Sequence, residues 1–135
     1  MVDMIRARLF LFVWLVGLIF PVTWLGRYAP GYQPTFNAIF GPEWVHIFMH
    51  ATLYAGLGML LAIAFKFPAG RKSTFRIVAI ILTVGVAQES LQWFSQGNFN
   101  LGPIVVQNAL FDLIIDILGG MLGLLVFHGF LDRQD

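Results

Sequence analysis

Four long apolar runs dominate the chain, and each is close to the length needed to cross a lipid bilayer. They extend over roughly Leu9 to Leu25, Val45 to Phe65, Ile77 to Phe94 and Gln107 to Phe130. A membrane span needs about 20 apolar residues, with about 17 to 25 tolerated. A segment with no water around it must satisfy its own backbone, and a helix does so. The expected fold is all-α: a four-helix transmembrane bundle forming a single domain over residues 1–135.

Composition agrees. Of 135 residues, 59% are hydrophobic and 11% are charged, against about 25% charged in a soluble domain. Mean hydropathy is +0.80. The net charge of +1 gives no reason to expect nucleic acid or an acidic ligand. With no cysteine, disulfides, thiolate metal sites and thiol nucleophiles are excluded, and the redox compartment is left open. Arg6 and Arg8 ahead of the first run resemble the start of a signal peptide. No small-x-small cleavage site follows, so the run reads as a retained helix.

Breakers punctuate the connectors. Gly26 to Pro34 is a loop rich in Gly and Pro, and Gly41-Pro42-Glu43 has the form of a helix start. Seven of the eight basic residues (Arg6, Arg8, Lys66, Arg71, Lys72, Arg76 and Arg133) flank one side of the spans, and only Arg27 flanks the other. The positive-inside rule then places both termini in the cytoplasm, in a multi-pass protein of the cell membrane, read as a bacterial plasma membrane. Trp24, Trp44 and Trp93 fall at outer ends of spans, as an aromatic belt requires; Trp14 has no such place.

Ionisable residues inside the spans are the strongest functional signal. They are His46, His50 and Tyr54 in the second span, Glu89 in the third, and Asp112 and Asp116 in the fourth. Such groups are costly in lipid and normally face the bundle interior or a wet cavity. Glu89 lies thirteen residues beyond Arg76, about 20 Å along a helix, which puts it in the outer half of a core about 30 Å thick. The histidines and Asp112 lie near the outer ends of their spans. His46, His50 and Tyr54 share a face at i, i+4, i+8; Glu89 and Gln92 share one at i, i+3; Asp112 and Asp116 share one at i, i+4. That last face continues to Gly119, Gly120 and Gly123, which permit close helix approach. A single His or Gln in a span is commonly interhelical glue. Three carboxylates in proximity repel one another, so glue alone is a poor explanation of the trio.

At these residues the chain resembles the VanZ-like family of small bacterial membrane proteins. His50-Ala-Thr-Leu-Tyr54, Glu89-Ser-Leu-Gln92 and Asp112-Leu-Ile-Ile-Asp116-Ile-Leu-Gly119-Gly-Met-Leu-Gly123 match that family's pattern in order and span position. The match covers about residues 43 to 125. It departs at His46-Ile47, where the family often has Asp-Lys, and at Asp116, where it has Asn. The Arg usual in the last outer loop is absent from residues 95–106. The resemblance implies a connection with glycopeptide-antibiotic resistance and supplies no established reaction.

Three functions are compatible with these residues. The first is a non-enzymatic pocket in the outer leaflet, formed by His46, His50, Tyr54, Glu89, Gln92, Asp112 and Asp116. It would bind a membrane lipid or an amphipathic envelope ligand, such as a cell-wall lipid intermediate or a glycopeptide or lipopeptide antibiotic. The second is a metal-assisted enzyme acting on a lipid headgroup, although His46 to His50 lacks the intervening Glu of H-E-x-x-H. The third is proton-coupled transport, disfavoured by the few spans and the lack of an inverted repeat unless the chain dimerises. The first is preferred. It assigns no catalytic residue, cofactor or metal ligand, and is compatible with a homo-oligomer.

Overall fold

The computed structural model describes residues 4–20, 28–29, 31–96 and 102–131, apart from the side chains of Gln33, Gln96, Phe130 and Leu131. Among the described residues, five α-helices follow one another: α1 (Met4–Ile19), α2 (Tyr32–Phe40), α3 (Glu43–Phe65), α4 (Arg71–Gln96) and α5 (Pro103–Val126). A π-helical turn, Phe127–Leu131, continues α5. Among the described residues there is no strand.

Three segments, Glu43–Phe65, Arg71–Ser95 and Pro103–Gly129, are long and apolar enough to cross a membrane. The expected second and third spans lie within the first two of them, and the fourth lies within the last except for Phe130. The first expected span ends at Leu25, and residues 21–25, including Trp24, lie outside the described residues. So do Arg27 and Arg133. The described α1 has 16 residues, about 24 Å of helix.

Helix ends follow local chemistry. Pro42 caps α3, its carbonyl accepting from the N–H groups of Val45 and His46. Lys66, at φ 49°, ends α3 in a left-handed turn, and the Lys66 and Phe67 amides both return to the Ala62 carbonyl. Pro103 opens α5 where its missing N–H costs nothing. α4 begins six residues before the expected Ile77. Its first turn is polar but still helical, with the Thr74 amide and hydroxyl both bonded to Gly70 O.

The helix α2 falls where sequence reading placed the end of a loop and an unassigned stretch. Tyr32, Phe36 and Phe40 recur every four residues and stack along one face, with ring centroids 5.6 Å and 4.8 Å apart. Pro34 in the first turn is compatible with helix.

Helices α3 and α5 form the centre of the bundle. His46 meets Asp112, His50 meets Asp116, Ala51 faces Gly119 and Ala55 faces Gly123, so residue numbers rise together and the pair runs parallel. The contact is backbone to backbone. A Cβ on Gly119 would lie 2.4 Å from Ala51 O, and one on Gly123 would lie 1.9 Å from Ala55 O. Only glycine permits this spacing. α4 runs antiparallel to both, with Ile81 against Gly120 and Gly85 against Leu113 and Asp116. The interior between them holds Tyr54, Leu57, Leu61, Ile77 and Ile81. On α5 the opposite face (Ile114, Leu118, Leu122 and Leu125) is exposed and apolar, as a lipid-facing surface would be.

Trp14 finds its role here. Its indole N–H donates to the Leu53 carbonyl at 2.9 Å. A Cβ on Gly56 would lie 2.5 Å from the indole ring, so the missing side chain makes room for it. This contact docks α1 on α3.

Candidate functional site

The stripe His46, His50, Tyr54 on α3 lies against the stripe Asp112, Asp116 on α5. Because both repeat every four residues on parallel helices, two pairs form one turn apart. In the outer pair, His46 Nε2 is 3.2 Å from each oxygen of Asp112. In the inner pair, His50 Nδ1 is hydrogen-bonded to Asp116 Oδ1 at 2.8 Å. The His46 and His50 rings are stacked at an angle, with centroids 4.5 Å apart.

Burial increases along the ladder. The His46 side chain is exposed and Asp112 largely covered, whereas His50 and Asp116 are both buried. Tyr54, one turn further, is wholly buried. Its hydroxyl donates to Gln88 Oε1 at 2.7 Å. Gly85 makes space for this group: a Cβ there would lie 3.1 Å from Asp116 Oδ2 and 3.5 Å from Tyr54 Oη.

Glu89 is buried on α4 and interacts electrostatically with Asp112, His50, Asp116 and His46. Among the described residues, no side chain hydrogen-bonds to its carboxylate, and no Lys or Arg forms an ion pair with Glu89, Asp112 or Asp116. Three acids and two imidazoles therefore share one neighbourhood to which the described residues bring no fixed cation. One ligand atom from each of His46, His50 and Asp112 lies within 4.8 Å of the other two.

The ladder borders a cavity of about 470 Å³ between α1, α2, α3 and α4. Its apolar wall includes Leu18, Ile19, Phe36, Ile39 and Leu53. His46, His50, Gln88 and Gln92 supply the polar wall. Small-molecule sites have this character: a volume of about 300–1,000 Å³, mostly apolar lining and a few convergent polar groups.

The seven residues singled out from sequence thus come from α3, α4 and α5 to a common region. Gln92 stands on the cavity wall rather than in the acid–imidazole ladder. Gln88 was noted in the sequence only as a neighbour of Glu89, yet it holds the Tyr54 hydroxyl and lines the cavity. A signal for it existed: Gly85, Gln88 and Gln92 follow one another at i, i+3, i+7 on one face of α4. Compared with known protein families, with curated proteins and with solved structures, the chain matches none.

Proposed function

We propose that this chain is a four-span, VanZ-like protein of the bacterial plasma membrane, with both termini cytoplasmic and a pocket in the outer leaflet that binds an amphipathic envelope ligand. The observation that carries this reading is the cavity of about 470 Å³, with an apolar wall from α1 and α2 and a polar wall from His46, His50, Gln88 and Gln92. Such a shape suits a molecule with an apolar chain and a polar head.

Within a bilayer the apolar wall supplies little net attraction, because lipid tails are as apolar as leucine. Selectivity must therefore arise at the polar wall and the acids behind it. A cell-wall lipid intermediate or a glycopeptide or lipopeptide antibiotic carries the hydroxyl and amine groups these residues would accept. The reading ties the protein to antibiotic resistance.

Deletion of the gene and complementation with Glu89→Ala or Asp112→Ala test it. Both variants should fail to restore wild-type sensitivity to teicoplanin at equal protein level in the membrane. Wild-type sensitivity in both would remove the support for this function.

A further inference from the structure

We infer that His46, His50 and Asp112 form a binding site for a divalent transition-metal ion of the zinc type. The inference stands on side-chain geometry alone and holds whether or not an amphiphile occupies the cavity.

Four observations converge on it. First, one ligand atom from each of the three residues lies within 4.8 Å of the other two. Second, His46 Nε2 sits 3.2 Å from both Asp112 oxygens. At 3.2 Å both contacts are longer than a charge-assisted N–H···O hydrogen bond, about 2.7–2.9 Å. Two ligands on a tetrahedral ion, with metal–ligand bonds of about 2.0–2.1 Å, stand about 3.3 Å apart. The pair is spaced like two ligands of a shared ion.

Third, His50 is held as a metal-ligating histidine is held. Its Nδ1 is bonded at 2.8 Å to Asp116, a residue 1% exposed at its side chain. Asp116 as a carboxylate can only accept, so the proton belongs on Nδ1 and Nε2 keeps its lone pair. Carboxylate–histidine–metal relays fix ring orientation in this way and raise ligand basicity. Fourth, among the described residues no Lys or Arg pairs with Glu89, Asp112 or Asp116, and buried charges are ordinarily paired or coordinate metals. A divalent cation would supply positive charge where the described residues provide no fixed one.

Two imidazoles and a carboxylate favour zinc or a neighbouring first-row ion over magnesium or calcium, which prefer all-oxygen sites. Three protein ligands leave a fourth position open, as in catalytic rather than structural zinc sites. His46 and His50 both line the cavity, so that position is accessible to water or to an oxygen donor within it. The sequence concealed this arrangement because two ligands come from α3 and the third from α5, sixty-six residues beyond His46.

Purified full-length protein, stripped with chelator and titrated with Co²⁺ in detergent, tests the site. The expected result is one Co²⁺ per chain with the intense visible absorption of a four-coordinate ion, displaced by an equivalent of Zn²⁺. His46→Ala, at a side chain 46% exposed, should abolish that absorption while helix content and thermal stability persist. Asp116→Asn keeps an acceptor opposite His50 but loses the charge, and should weaken affinity about 10–100-fold. Folded wild-type protein that takes up neither ion at one equivalent, or a His46→Ala variant that binds like wild type, would overturn the inference.

Discussion

The buried His50–Asp116 pair sits where each partner is the other's main compensation for leaving water. Asp116 Oδ1 accepts at 2.8 Å, and the two side chains are 8% and 1% exposed. Removing one partner strands the other, which costs about 1–3 kcal/mol. Asp116→Ala should therefore destabilise the fold by that amount in a mixed-micelle unfolding titration, and His50→Ala similarly. The double variant should lose less than the sum, with a coupling of about 1 kcal/mol, in the range of interhelical hydrogen bonds in membranes. Strict additivity would mean that the bond contributes nothing. Much of this site was legible in the sequence, because four-residue spacing on two helices forces each set of polar side chains onto one face. Which faces meet was not legible. A membrane helix is apolar toward both lipid and its neighbours, so periodicity gives little contrast by which to fix its rotation. Gln88 shows the consequence: its hydrogen bond to Tyr54 depends on how α4 is turned.

At the scale of helices, the parallel α3–α5 contact rests on glycine, and two substitutions of identical chemistry separate its effect from helix propensity. A Cβ on Gly123 would lie 1.9 Å from Ala55 O, with nothing flexible to yield. Gly123→Ala must push the helices apart, at an overpacking cost of about 1–3 kcal/mol. A Cβ on Gly17 in α1 meets nothing within 4 Å. Gly17→Ala should instead stabilise by up to about 1 kcal/mol, the ordinary helical preference for alanine. Thermal denaturation in detergent checks both, and equal behaviour of the two variants would contradict the close approach. Element boundaries were readable where proline marks them, as at Pro42 and Pro103. They were not readable at the start of α4, because Arg71 and Lys72 are polar yet good helix formers, and hydropathy locates the membrane rather than the helix. α2 escaped notice because nine residues cannot span a bilayer, and Gly31 and Pro34 suggested a loop.

For the molecule as a whole, the orientation in the membrane decides which side the pocket faces. His46 and Lys66 stand twenty residues apart near opposite ends of α3, about 30 Å of helix, which equals the thickness of the hydrocarbon core. The acid–imidazole ladder therefore lies near one boundary, and Lys66, Arg71, Lys72 and Arg76 cluster at the other. The proposed function requires the ladder to face outward, the orientation that the positive-inside rule predicts from these basic connectors. The chain contains no cysteine, so single introduced thiols report orientation without background. Thr35 on α2 and Ala69 between α3 and α4 are both exposed and suit the purpose. A membrane-impermeant maleimide applied to intact cells should label Thr35→Cys and leave Ala69→Cys unlabelled until the membrane is permeabilised. The reverse pattern would put His46 and Asp112 beside the cytoplasm, out of reach of any envelope ligand, and the proposed function would fall even though the side-chain geometry stood. The metal site would survive that outcome, since it depends on the distances between α3 and α5 and not on which face of the bilayer they meet.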